Sequence, residues 1–415
     1  MYRIFYVRRG LLRIVAVDTE TVRDKPWSVQ LAAALVPKGR MFYCDDKQAM
    51  GDVWGYLESE ETLTVLHNAK FDLRVLNQCG IHPAHCECTM QMAYLLGEPA
   101  LSLKVLAYRL AGIEMCTFDA VTEKATQEKS EAYLWQVAEM EWPDPEPTMR
   151  TDKNGDVKFS FPKNIKGKIT KLLEKYTIDP SINLRKKWLA MDEGGGRGQV
   201  EAELGKMQRA YLDEVDQQEA EEYAKLDAEA TYAIYPYLHA QIEKYGLQES
   251  LERDMDCIPM IIEMEDNGVL LDVGVLKELK CDLDELTVST QADINYLAGG
   301  YVNPRSSQQV VALLQDMGIY TEMEDSTDAS VLDQYREHVI VNKIQDYRGY
   351  TKLQSTYVEG LMKVVGVDGR IHTTFSTVRT ETGRLASSKP NLQNIPVRTE
   401  LGRRIRKAFI AERGE

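Results

Sequence analysis

The chain contains no uninterrupted apolar run long enough to span a bilayer, and its N-terminal MYRIFYVRRG lacks a secretory apolar region. Membrane insertion and export are therefore not expected. The expected location is a cytoplasm, bacterial or that of a host if the chain is phage-encoded. Seven cysteines are scattered without a disulfide framework, which fits free thiols in a reducing compartment. Cys79, His82, His85, Cys86 and Cys88 crowd together, but their spacing fits none of the usual paired-ligand patterns, so zinc is not expected. Internal repeats and low-complexity tracts are also missing, which excludes a repeat architecture. What remains is a soluble-type composition, 44% hydrophobic, in a 415-residue chain too long for one core and expected to form two or three domains.

Four carboxylates and a tyrosine carry most of the chemistry: Asp18 and Glu20 in VAVDTET, Asp72 in HNAKFD, and Tyr223 with Asp227 in YAKLD. Divalent metals need several hard anionic oxygens, and a metal pair can clamp the attacking and leaving oxygens of a phosphodiester. The apolar run Leu11 to Val17 reads as a buried central strand ending at Asp18. Residues two apart on a strand point the same way, so Asp18 and Glu20 can face one metal pair. Tyr223 and Asp227, four apart in an Ala-, Glu- and Lys-rich stretch, share one face of an expected helix, where the hydroxyl could orient water beside the carboxylate.

In this order the set resembles the proofreading 3'→5' exonuclease domain of family A DNA polymerases, the DEDD nucleases of the tyrosine subtype. The resemblance implies that Asp18, Glu20, Asp72 and Asp227 bind two divalent ions, Mg2+ or Mn2+, and that Tyr223 positions the nucleophilic water. It also implies that Asn68 and Phe71 hold a frayed 3' end. The expected fold is α/β: a ribonuclease H-like domain with a mixed sheet flanked by helices, then a mainly helical thumb and a palm stub. The corresponding boundaries are 1–248 for the exonuclease and 249–415 for thumb and palm start.

A second constellation lies in TGRLASSKPNLQNIPVRTELGRRIRKAFI, Thr382 to Ile410. Arg379, Arg384, Lys389, Arg398, Arg403, Arg404, Arg406 and Lys407 face only Glu381 and Glu400, a local charge that suits a phosphate backbone. Asn391, Gln393 and Asn394 add amides able to donate to minor-groove acceptors without sequence preference. TGRL followed by PNLQNIP resembles the entry to the palm of family A polymerases. NGVLLD (Asn267 to Asp272), NPRSSQQV (Asn303 to Val310) and YRGYTKLQSTYV (Tyr347 to Val358) resemble successive thumb segments. By that match Arg348, Lys352 and Arg384 would contact primer-template DNA.

In the resembling family the palm's metal-binding aspartate follows the segment like RRIRKAFI, and this chain ends at Glu415, before it. The expectation is a phage-type or fragmentary polymerase that synthesises DNA only if a palm and fingers half is supplied. A partner chain carrying that half would pair strands with the stub after Lys389. Competing readings are a free-standing ribonuclease D-type exonuclease acting on RNA and a non-catalytic DNA clamp.

Part of the acidic excess behind the net charge of −15 lies at Asp119 to Glu146 and Glu201 to Glu229, so charge distribution decides where phosphate can lie. Residues 1 to about 118 alternate strands and helices, with turn signals at Pro37-Lys38-Gly39 and Gly80. About 118–208 reads as an insertion, holding EWPDPEP, Asn154-Gly155, the lysines 163–175 and GGGRG; its Lys163, Lys166, Lys168, Lys171, Arg185, Lys186 and Lys187 could extend a DNA track. Gly246 should close the helix of Tyr223 and Asp227, with further helices over Leu251–Asp266 and Leu276–Leu297.

Overall fold

The apolar residues before Asp18 form strand β1 (Arg13–Val22), with Val15, Ala16 and Val17 fully buried. Burial on both faces suits a central strand, and β1 is the middle of a five-stranded sheet ordered β3-β2-β1-β4-β5. Strands β2 (Lys25–Ala33) and β3 (Val36–Tyr43) run antiparallel in sequence, while β4 (Thr62–Leu66) and β5 (His85–Cys88) pair in parallel. Helices α1 (Lys47–Leu57), α2 (Ala69–Gln78), α3 (Thr89–Leu95) and α4 (Leu103–Ala111) fill the connections. The long α5 (Gln217–Tyr245) lies along β1, β2 and β3.

The structure is a computed structural model and describes residues 6–7, 10–11, 13–33, 36–126, 128–129, 148–151, 157–160, 210–321 and 325–412. Most of the 118–208 stretch, including Lys163, Lys166, Lys168, Lys171, Arg185, Lys186, Lys187 and GGGRG, lies outside the described residues. Either side of Asn154-Gly155, Thr148–Thr151 pairs antiparallel with Val157–Ser160.

Local chemistry explains how α5 reaches the sheet. Ala228 packs against Ala16 of β1 and Ala32 of β2, all fully buried, so only methyl groups separate helix from sheet. At β3 the expected turn at Pro37-Lys38-Gly39 is corrected: these residues are inside the strand. Gly39 is there for a close approach instead, since a Cβ on it would lie 3.2 Å from the Lys225 carbonyl oxygen. Its N–H donates to Glu229 Oε1 at 2.7 Å, a second tie to α5. Gly80, at φ +76°, does serve a turn, just beyond α2. Gly246 closes α5 in the left-handed region, at φ +67°.

The chain divides into two units, Met1–Met255 and Asp256–Glu415. In the second, α6 (Gln248–Asn267, begun in the first) leads to the two-residue strand β6 (Val269–Leu270) and then to α7 (Val273–Ala298). Asp272 caps α7 by accepting from the N–H groups of Gly274 and Val275. The first half of α7 buries Leu276, Leu279 and Leu283 against Val358, Leu361, Ile395 and Ile405. Its far end buries Ile294 against a separate cluster from α8 (Ser307–Asp316), α9 (Ala329–Leu332) and α10 (Val339–Lys352). Between α10 and α11 (Glu359–Val364) the helix widens into a π turn over Leu353–Val358. Strand β7 (Arg370–Ile371) pairs with β6, and β8 (Thr374–Ser376) with β9 (Ala386–Ser388). After Lys389 the described residues offer helix α12 (Glu400–Lys407) and a single bridge, Phe409 to Leu271. No helix among the described residues is long and apolar enough to cross a membrane.

Candidate active site

Asp18 and Glu20 project to one side of β1 and meet Asp227, one turn along α5 from Tyr223. An oxygen from each of Asp18, Glu20 and Asp227 lies within 4.8 Å of the others. Asp72 comes from the first turn of α2, which starts at the end of β4, the strand beside β1. It is held by Thr19, whose N–H and Oγ1 both donate to Asp72 Oδ1, at 3.1 and 2.8 Å. The residue between the two strand carboxylates thus anchors the third, a role for Thr19 with no signal in the sequence.

The electrostatics follow from burying like charges together. Burial, then Asp72, Asp227 and Glu20, push the Asp18 carboxyl well above the ordinary range. Burial and its neighbours Asp227 and Asp72 raise Glu20 to about 8. Asp72 rises to about 7, with burial dominant and the Thr19 hydrogen bonds opposing it. Asp227 rises to about 6 by burial, with Lys104 opposing. Burial and the carboxylates of Asp227, Glu20 and Asp18 push the Tyr223 hydroxyl further above its usual value, so it keeps its proton at any working pH.

Asp18 Oδ2 and Asp227 Oδ1 are buried without a hydrogen-bond partner. Buried acceptors of this kind call for a partner, and a bound ion or an ordered water supplies one. An all-oxygen, all-carboxylate set suits a hard divalent cation, so these residues fit the metal use of the exonuclease domain matched below.

Tyr223 is fixed by a small core of Leu212, Ala220 and Ala224, and by the Phe118 ring at 6.3 Å, edge-on. Lys104 of α4 sits 5.7 Å from the Tyr223 ring centre. Neither Phe118 nor Lys104 was marked by sequence reasoning; the only signal was one lysine in the otherwise apolar LSLKVLA. Asn68, the N-cap of α2, is left-handed at φ 79° and makes no capping bond with its side chain. Phe71 is 42% exposed, unusual for a phenylalanine in a helix whose neighbours Leu73 and Leu76 are buried. Both residues therefore stand outward beside Asp72.

The histidines and cysteines expected not to form a zinc site have separate partners. His82 contacts Asn77, His85 contacts Glu60, and Cys79 Sγ lies 3.7 Å from Cys44 Sγ. Among the described residues the acidic trio above is the one metal-type cluster.

In the second unit, Arg305, Arg348, Thr351, Lys352, Ser355 and Thr356 line an open polar groove of about 340 Å³. Arg348 is largely committed within the fold: Nε donates to the Pro304 carbonyl and Nη1 to the Thr327 carbonyl, at 2.7 and 2.6 Å. Lys352 is exposed in the same groove. Gln393 is also committed, accepting from the Ser387 N–H and donating to the Leu385 carbonyl, so it staples its own loop. Asn391 caps a turn by accepting from the Gln393 N–H; the side chains of Asn391, Asn394 and Arg384 are exposed. The basic cluster is partly spent as well, with Arg404 paired to Asp282 at 2.6 Å and Arg406 donating to the Ile395 carbonyl.

Comparison with known proteins adds two matched segments. Residues 9–134 match the family model described as 3'-5' exonuclease, and residues 273–415 that described as DNA polymerase family A. DNA polymerase I of Treponema pallidum (strain Nichols) is 39% identical over 199 residues, 46% of this chain and 20% of that protein. The thermostable DNA polymerase I of Thermus aquaticus is 41% identical over 206 residues, 48% of this chain and 24% of that protein. The matched part of the chain thus spans about a fifth to a quarter of these curated relatives. Among solved structures, the POL domain of Pol1 from M. smegmatis, in complex with DNA primer-template and dNTP, shares the fold at a TM-score of 0.64. It is 22% identical, and the likeness covers 96% of this chain and 55% of that one.

Proposed function

This chain joins a 3'-5' exonuclease domain to a segment of DNA polymerase family A, and from that premise we propose that it removes nucleotides one at a time from DNA 3' ends. The observation that carries the reading is the convergence of Asp18, Glu20 and Asp227, with two orphaned buried oxygens, beside the hydroxyl of Tyr223 and with Asp72 held by Thr19 near enough to act on Asp18. Two divalent ions, Mg2+ or Mn2+, held by these carboxylates would supply an activated water and charge stabilisation for the leaving 3' oxygen. The chain's own residues do the rest. Tyr223 keeps its proton and so orients the attacking water through a hydrogen bond; it does not act as a base. Thr19 holds Asp72 in place. Asn68 and Phe71 receive the terminal base and sugar, favouring ends that are frayed or mismatched because these cost less to unpair.

On this reading the exonuclease occupies 1–248, with an insertion at about 118–208, and 249–415 form the thumb and the start of the palm. Lys352, Arg384, Asn391 and Asn394 are proposed DNA contacts, while Arg348 and Gln393 position the surfaces that carry them. Polymerisation requires a palm and fingers half, from a longer chain or a partner, and the working compartment is a cytoplasm. The family A segment favours DNA over the RNA substrate of a ribonuclease D-type enzyme.

The test is digestion of a 5'-labelled primer, single-stranded and as a mismatched duplex, by the purified chain with Mg2+ or Mn2+. Stepwise shortening is expected, abolished by a chelator and by Asp18→Ala. Shortening that survives Asp18→Ala would overturn the assignment.

A further inference from the structure

Lys104 has no part in the mechanism above, yet its charge acts on two of the clustered carboxylates, Glu20 and Asp227. Ser102 starts α4, and the helix places a single lysine, half-buried, at the rim of the site. Its ammonium lies 5.7 Å from the centre of the Tyr223 ring, and among the described residues it forms no ion pair and no hydrogen bond. A half-buried ammonium bears a desolvation cost that a partner normally offsets. Four carboxylates and two divalent cations cancel in charge, so a phosphodiester entering a metal-loaded site still carries an uncompensated negative charge. A lysine ammonium is a compact point charge with three donors, suited to a phosphate oxygen.

We propose that Lys104 is a substrate ligand of this site, its ammonium contacting a non-bridging oxygen of the 3'-terminal phosphate while its cation–π contact keeps Tyr223 in place. The proposal rests on the nuclease reading for the identity of the substrate, and its test is chosen to separate the two. The full chain is titrated with thymidine 5'-monophosphate and with thymidine in the presence of Mn2+, for wild type, Lys104→Gln and Lys104→Arg. The expected result is a loss of about tenfold to a hundredfold in nucleotide affinity for Lys104→Gln, typical of a charged hydrogen bond. Thymidine binding should be unchanged, and Lys104→Arg should recover most of the loss. On single-stranded DNA the variant should show a raised KM and a log–log salt slope smaller by about 0.7, one phosphate contact.

Unchanged nucleotide affinity with only kcat reduced would overturn the proposal and leave Lys104 a positioning residue for Tyr223. Wild-type protein that binds the nucleotide no better than thymidine would overturn it too. Selective loss of nucleotide binding in Lys104→Gln, in a protein that fails to shorten DNA, would support the phosphate contact and refute the nuclease reading. Matching melting temperatures for the three proteins exclude misfolding as the cause.

Discussion

At the scale of single residues the cluster works against the fold unless cations fill it. Glu20, Asp72 and Asp227 have folded-state values of about 8, 7 and 6 against ordinary values of 4.5, 3.8 and 3.8. Between these limits the folded chain holds protons that the unfolded chain has released, so stability falls as pH rises. Metal-free protein should therefore melt at progressively lower temperature from about pH 5 to about pH 8, with the steepest loss at about pH 5 to 6, where all three groups are protonated only in the folded chain, and a levelling off as pH passes through the folded values. Calorimetry in chelator checks this, and Asp18→Asn should flatten the decline. Added Mn2+ should raise the melting temperature more at about pH 8 than at about pH 5.5, because protons compete for the same oxygens. Tyr223→Phe should lower the cleavage rate about tenfold to a hundredfold, the value of one hydrogen bond in a charged site, while leaving the Mn2+ shift intact. Single-turnover cleavage with parallel melting measures both. The five primary residues were legible because strand alternation and helical spacing fix relative directions. Thr19 and Lys104 were not, since their roles depend on contacts between segments 53 and 119 residues distant in the chain.

At the scale of elements, α5 is the beam that carries Tyr223 and Asp227, and its height above the sheet is set by alanine and glycine. Ala228→Leu adds volume at a seam where Ala16 and Ala32 leave none. The expected outcome is destabilisation by about 1–3 kcal/mol, with loss of cleavage larger than the stability loss explains because Asp227 is displaced. Denaturant melts and cleavage at a temperature where the variant is folded separate the two effects. Gly402→Ala should likewise destabilise the second unit, since a Cβ there would lie 2.8 Å from Pro396. The helix over Tyr223 and Asp227 and its Gly246 end were readable from composition and capping rules. Pro37-Lys38-Gly39 misled, because glycine marks close approach as well as turns and only the packed helix decides which.

At the scale of the whole molecule, the two units each own a core: one at the sheet and α5, the other along α7. Heating should therefore give a transition that departs from two-state behaviour, and Mn2+ should shift only the part belonging to the first unit. A single transition moved as a whole would contradict this. The net charge of −15 said little about function, since of the four functional carboxylates only Asp227 falls within the acidic stretches that hold much of the excess. The basic surface read from TGRL onward was only partly legible. Several of its cations serve their own loop or Asp282, and a linear sequence does not distinguish an arginine that braces from one that reaches outward.

The π turn at Leu353–Val358 has a bearing on how the chain tolerates insertions and deletions. A π turn accommodates one residue more than an α turn spanning the same arc. It therefore acts as a slack link: the upstream part aligns Ile340, Val341 and Ile344 with one cluster and the downstream part aligns Val358 and Leu361 with the other. Deleting Ser355 should tighten the link to α geometry and leave both sets in phase. The same deletion within α7 would rotate every later side chain by about 100° and unseat Ile294. A one-residue length polymorphism is thus expected to be silent at the link and ruinous within α7.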